Sequence, residues 1–458
     1  MLRIPFENSG FRIEPDPDVL RSWEWFMSLF SKNEWRERRT VIEDKIRVRP
    51  ESSDPFSKSL DQGVLQVVND DQIGWYLYLV ETFLFEPHKY EFFQGARVIP
   101  IFKRLGLDFE DLLQIEGIRS KVKNIIKVRK SEAEPLIFEI LVALLWKKNG
   151  WKTNFITESK TGKMPDLKVE KGSETFFIEC KRQKKSSDYV YRETKKRQIL
   201  ISHINKELIK RNLLLEIVFH VELESLEDTY LKDLLTEHFI SSRIPKKISV
   251  PGMVDIHFSR INIPKVNSYL NAYLVKNHSP TLNYLIGGKS MDNLAFTSGL
   301  IGKFYRIGDG EVGNEFVGAI SNAYGVISYC DAEGAVSAKA RDIKGQLHSA
   351  LSQFQPKQNV IVYIGMETFD GPEVEAKRLG KIQVTLNDLG IRGKDLKWIF
   401  LHFFQSYSTP NQNWVLDETV KSFGNIKSIK EMPLRSRYLL AETNENFALG
   451  HWERPLPE

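Results

Sequence analysis

Asp166, Glu179 and Lys181 are the residues whose types and spacing carry chemistry. Asp166 follows Pro165 and opens a strand-like run, Leu167 to Val169; twelve residues separate it from Glu179, which ends a second run, Thr175 to Ile178. A Lys-Gly-Ser turn at Lys171 to Ser173 joins the two runs, so the text reads as a hairpin. Side chains on one face of a strand recur at every second position, which puts Glu179 and Lys181 together and turns Cys180 the other way. Two carboxylates and an ammonium then converge on one small volume. Hard oxygen donors from Asp166 and Glu179, with the Cys180 backbone carbonyl between them, suit Mg2+, which takes few protein ligands and borrows phosphate oxygens from its substrate. A lysine beside them orients the attacking water and offsets charge developing on phosphorus. The chemistry implied is phosphodiester hydrolysis.

Three elements must position these groups. Upstream, SEAEPLIFEILVALLWKKNG is a helical pattern in which Leu136, Ile137, Ile140, Leu141, Leu144 and Leu145 form the buried stripe, with Glu139 at its margin beside Ala143 and Trp146. The hairpin follows, after the short apolar segment WKTNFITES. Downstream lies a basic helix: from Lys181 to Arg211 there are 11 basic and 3 acidic residues, a local net of +8 against +5 for the whole chain. A positive block beside a metal site is what a polyanionic substrate requires, and Arg182, Lys184, Lys185, Arg192, Lys195, Lys196 and Arg197 are the candidate phosphate contacts. A plain solvated helix face is the competing reading, and Ile199, Leu200, Ile204, Leu208 and Ile209 give the helix a buried side.

The pattern resembles the PD-(D/E)xK nuclease superfamily, with Pro165-Asp166 as the first half of the motif and Glu179-Cys180-Lys181 as the second. The resemblance covers about a fifth of the chain. It implies an α/β, restriction-endonuclease-like mixed sheet flanked by helices. It also implies catalytic roles for Glu139, Asp166, Glu179 and Lys181, and a Mg2+ ion, with Mn2+ as a substitute, on Asp166, Glu179 and Cys180. Glu139 matches the family's further acidic residue, completing the acidic shell or supporting a second ion. Double-stranded DNA is the substrate it implies, in a bacterial restriction or anti-phage setting. The alternative is a catalytically inactive or partner-gated nucleic-acid-binding subunit of a defence or repair system, and self-association stays open.

The 458-residue chain has apolar and charged fractions ordinary for a globular protein and length enough for two or three domains. No apolar run reaches membrane-spanning length and MLRIPFENSG lacks a signal-peptide pattern, so a cytoplasmic protein with no membrane partner is expected. Cys180 and Cys330 alone cannot build a disulfide framework or a structural zinc site.

Residues 1–130 read as a helical accessory domain whose Trp23, Trp25 and Trp75 belong to its core. Within it, LLQIEGIRSKVKNII faintly resembles a helix-hairpin-helix, but Arg119 stands where a second glycine is expected, which favours an ordinary helix-helix turn at Gly117. The nuclease core spans 131–223 and ends in a central strand, LLLEIVFHVEL. Residues 224–335 read as an insertion or linker of mixed structure, with a helix in LEDTYLKDLLTEHF and strands around Pro251-Gly252. Gly287-Gly288-Lys289-Ser290 there is no phosphate loop, because Asn283 replaces the required glycine, and Gly308, Gly310 and Gly313 read as a turn-rich loop. Residues 336–458 read as an α/β region: a helix in AKARDIKGQLHSALSQF, a buried strand NVIVYIGM, a helix PEVEAKRLGKIQVTLNDL and a strand LKWIFLHFFQ. They form either a separate domain or, as the repeated rhythm slightly favours, the completion of the nuclease sheet. The histidines form no metal or catalytic grouping, and His220 reads as a satisfied strand residue.

Overall fold

The computed structural model describes residues 15–31, 33–46, 60–157, 164–183, 187–241, 244–289, 295–306, 315–355, 358–388, 396–410, 414–424, 432–440 and 450–453. Six helices come first: α1 (Pro17–Met27), α2 (Glu34–Ile46), α3 (Leu60–Phe85), α4 (Phe92–Leu107), α5 (Phe109–Leu113) and α6 (Ile118–Lys127). Trp25 and Trp75 are buried and Trp23 packs on the same core, as expected.

Then come α7 (Ala133–Lys148), β1 (Lys152–Phe155), β2 (Leu167–Lys171) and β3 (Glu174–Arg182). The β2–β3 hairpin closes as its turn residues dictate, with Lys171 opposite Glu174 and Gly172 at φ +60°. Helix α7 differs from the amphipathic reading: every residue from Leu136 to Trp146 is buried, Glu139 included. One side meets the sheet, where Trp146 Nε1 donates to Tyr363 Oη at 3.0 Å, and the other is covered by the N-terminal helices. The helices read from sequence as an accessory domain therefore share one continuous core with the sheet.

After β3 the chain builds a second layer: α8 (Asp188–Ser202), α9 (Asn205–Arg211), β4 (Leu213–Phe219), α10 (Tyr230–Ile240), β5 (Lys247–Val250), β6 (Val254–Arg260), α11 (Ile263–Ala272), β7 (Val275–Lys276), α12 (Pro280–Leu285), β8 (Ala295–Arg306) and β9 (Glu315–Cys330). The sheet order is β5-β6-β4-β9-β7, with β8 on β9. Strand β4, read from sequence as part of the nuclease core, lies here instead, between β6 and parallel to β9. Its side chains alternate between buried and half-buried. Two features escaped the sequence reading. The long β8/β9 pair carries glycines that interrupt the hydrophobic alternation: a side chain at Gly325 would strike Leu214 at 2.9 Å and Phe296 at 3.0 Å. The basic stretch is two helices, α8 and α9, rather than one.

The chain then returns through α13 (Glu333–Lys339), α14 (Lys344–Leu351), β10 (Val360–Glu367), α15 (Pro372–Asp388), β11 (Leu396–Ser408) and β12 (Trp414–Gly424). The helix expected over residues 338–354 is broken at residues 340–343, where Asp342 Oδ1 accepts from the Ile343 N–H at 2.6 Å. Strand β10 adds parallel to β3, giving a six-stranded sheet of order β1-β2-β3-β10-β11-β12. The C-terminal strands thus complete the sheet that carries the hairpin. The molecule is an α/β protein of two mixed sheets flanked by helices.

Candidate active site

The hairpin opens at the end where the chemistry sits. The Asp166 N–H donates to Ile178 O at 3.0 Å, and beyond that bond β2 leaves β3. Phe177 and Gln183 donate their N–H groups to Asn359 and Gly365, so alternation turns the backbone of Cys180 away from β10 and toward the vacated edge. There the Cys180 N–H donates to Asp166 Oδ2 at 2.8 Å, and the Cys180 carbonyl lies on the same side. On the opposite face from the Cys180 side chain, Lys181 Nζ donates to Glu179 Oε1 at 2.6 Å. Asp166, Glu179, Lys181 and the Cys180 backbone are thus brought together as the spacing predicts. The Cys180 thiol is buried in the core below α7 and is pushed up by burial and the neighbouring carboxylates, so it offers only its carbonyl.

The electrostatics of this edge are strained. Glu179 is 3% exposed and Oε2 is buried with no hydrogen-bond donor facing it. Its neighbour is the Asp166 carboxyl, another acceptor, so the two satisfy each other only when one carries a proton. Burial first, then the Asp166 charge, raises Glu179 to about 8, and burial raises Asp166 as well.

Glu139 reaches the same region from α7 but is held by a residue the sequence reading missed. Lys121 of α6 pairs with Glu139 Oε2 and lies 5.4 Å from the Phe155 ring centroid. Burial, followed by the Asp166 charge, raises Glu139 to about 7. One sequence signal was available: Lys121 lies three residues after Ile118 and one before Val122, at the edge of the buried face of α6. Among the described residues, no three His, Cys, Asp or Glu side chains stand close enough together to hold a metal ion. Lys121 takes Glu139 Oε2, while Asp166 and Glu179 stand with the Cys180 backbone. Two carboxylates, one carbonyl and one orphaned carboxylate oxygen still fit an ion that keeps most of its waters.

The basic candidates divide differently from expectation. Arg182 is turned inward: it is half-buried against Phe404, with Nε 3.0 Å from Glu134 Oε1 and Nη2 2.8 Å from Glu367 Oε1, while Arg97 pairs with the same two carboxylates. Arg197 is buried too, its Nη2 3.2 Å from Glu193, which also meets Lys339 at 2.8 Å. Arg192 pairs with Glu224 at 2.6 Å and Lys196 with Asp228, both near the surface. Lys195 is exposed, and Lys184 and Lys185 lie outside the described residues. Four of the seven candidates, Arg182, Arg192, Lys196 and Arg197, are thus paired with carboxylates within the fold.

The discounted motifs have other duties. Gly117 starts α6 at φ +85°, and Glu116 is sewn to β1 by Glu116 N–H to Thr153 O at 3.1 Å and Phe155 N–H to Glu116 O at 3.0 Å. Lys289 pairs with Glu216 at 2.8 Å, Ser290 lies outside the described residues, as do Gly308, Gly310 and Gly313, and His220 Nδ1 sits 3.0 Å from Asp331. No described helix is long and apolar enough to cross a membrane. The chain matches no protein-family model, no curated protein and no solved structure.

Proposed function

We propose that this chain is a Mg2+-dependent nuclease of the PD-(D/E)xK type acting on double-stranded DNA. The observation that carries the reading is the edge where the Asp166 and Glu179 carboxyls and the Cys180 carbonyl meet, with one carboxylate oxygen buried and unpaired. A divalent cation there would replace the shared proton and supply what phosphodiester hydrolysis needs, charge neutralisation at phosphorus and a more acidic water. Asp166, Glu179 and the Cys180 carbonyl are the groups to hold it. Lys181, anchored on Glu179 and partly open to solvent, orients the attacking water and donates to a phosphate oxygen as charge builds on it. Water adds to phosphorus, the bridging P–O bond breaks, and the leaving oxygen takes up a proton. The order α7, β1, hairpin, parallel β10 supports a restriction-endonuclease-like core, and a defence role in bacteria follows by analogy.

The test is cleavage of supercoiled DNA, linear DNA and RNA with Mg2+ or with chelator, by the wild type, Asp166→Asn and Lys181→Ala. The expected result is chelator-sensitive cutting, lowered roughly a thousand-fold by either substitution. Equal cutting by all three proteins defeats the proposal. A second reading is favoured by the ion pairs of Arg182, Arg192, Lys196 and Arg197, which engage four of the seven candidate cations within the fold. In it a partner protein supplies the substrate contacts and gates the site, and DNA binding by the isolated chain is weak and nearly independent of salt.

A further inference from the structure

The helical unit contributes a side chain to this edge, and its geometry decides how many ions the edge can take. Lys121 is not delivered loosely. Its helix starts at Gly117, where a side chain would meet Phe155 Cβ at 3.2 Å, and the residue before that glycine is hydrogen-bonded to β1 on both sides. The ammonium lies in an ion pair with Glu139, both side chains largely out of water, at 15% and 9% exposure. The backbone of Glu139 cannot adjust, because α7 is packed on every side from Leu136 to Trp146.

We propose that Lys121 is a positioning residue of the same site, which ties Glu139 down and thereby restricts the site to one divalent cation, held by Asp166, Glu179 and the Cys180 carbonyl. The inference rests on the metal-dependent reading above. Lys121 already holds Glu139 Oε2, so an ion taken by the other oxygen would sit beside a half-buried ammonium of its own sign and share the carboxylate's charge with it. The pair therefore stays closed while the outer two carboxylates work. Without the lysine, Glu139 would turn toward Asp166 and supply the third carboxylate that a second ion requires.

The full chain is titrated with Mn2+ by calorimetry, and the stoichiometry is checked by paramagnetic resonance of the free ion, so the readout does not depend on cleavage. The wild type should bind one Mn2+. The charge-neutral double variant Lys121→Gln with Glu139→Gln should also bind one, with affinity within about three-fold of wild type, because it removes the pair without changing the local charge. Lys121→Gln alone should take up a second Mn2+, and Lys121→Arg should return to one. Circular dichroism of each variant establishes that it is folded; where Lys121→Gln is not, Lys121→Met, which keeps the apolar stem and removes the ammonium, takes its place and should likewise take up a second Mn2+. Two ions on the wild type, an affinity loss of about ten-fold or more in the double variant, or a single ion on folded Lys121→Gln overturns the inference. Failure of the underlying reading looks different: the wild type binds no Mn2+, or Asp166→Asn binds it equally well.

Discussion

Replacing Glu179 by Gln should make the metal-free protein more stable at alkaline pH, although it removes a charged hydrogen-bond partner of Lys181. The carboxyl of Glu179 is raised to about 8 from an ordinary value of 4.5, first by burial and then by the Asp166 charge. An acid raised in this way keeps its proton in the folded state over a window in which the unfolded chain has already released it. Its stabilising contribution is full below about 4.5 and is lost as pH climbs through about 8. At about 1.4 kcal/mol per pH unit, the whole window is worth roughly 4 to 5 kcal/mol for an isolated group. Asp166 shares the proton and Lys181 partly compensates the charge, so about 2 kcal/mol is expected between pH 5 and pH 8. Glutamine keeps the shape and an acceptor for Lys181 and does not titrate. In chelator, the melting temperature of Glu179→Gln should equal or trail that of wild type at pH 5 and exceed it by several degrees at pH 8, at about 2 to 4 °C per kcal/mol. Saturating Mg2+ should reverse the order at pH 8, because it binds the wild-type carboxylates and adds about 2.7 kcal/mol at a hundred times its Kd. The assay is thermal unfolding followed by circular dichroism across that pH range, with and without Mg2+. A gap between variant and wild type that does not change with pH would refute the reasoning, since Glu179 would then not be desolvated beside a second carboxylate.

Arg182→Met should cost about 1 to 3 kcal/mol, because Glu134 and Glu367 lose one of their two arginines and keep Arg97, and it should leave the salt dependence of DNA binding unchanged. A drop of about one in the salt slope would instead make Arg182 a phosphate contact. Gly117→Ala should destabilise by roughly 1 to 2 kcal/mol in denaturant unfolding, since φ is +85° and the new Cβ would crowd Phe155; a neutral effect would mean that the start of α6 can relax. Lys276 is buried, with Nζ donating to Tyr90 O at 2.6 Å, and burial lowers it to about 7. The folded state sheds this proton before the unfolded chain does, so the cost of burying the ammonium is complete below about 7 and fades toward 10.5. Lys276→Met should therefore be more stable than wild type at pH 6 and hold a smaller advantage at pH 9, measured by the same unfolding assay.

What could be read from the sequence was whatever depends on near neighbours in the chain. Alternation by twos puts Glu179 and Lys181 on one face wherever the strand lies, and the Lys-Gly-Ser turn closes the hairpin that aligns Asp166 with Cys180. The apolar run of β10 and the helical spacing of α15 are equally local. Even the break at residues 340–343 follows from one short side chain, Asp342, bonding its own neighbour, although periodicity alone missed it.

Tertiary structure decided which charges face one another. Glu139 lies 18 residues from Lys121 and Arg182 lies 185 from Glu367, and no spacing rule links such pairs. The same uncertainty covered the sheet: β3 finds its parallel partner in β10 only after the chain has built a whole second layer, and β4, so similar in pattern, pairs elsewhere. A buried charge lowers its energy only by meeting an opposite charge at short range, so the arginines written beside the motif went to the carboxylates of α7, α8 and β10. Sequence determined the hairpin and the identity of its chemical groups; folding determined which of those groups remain unpaired, and with them what the site can bind.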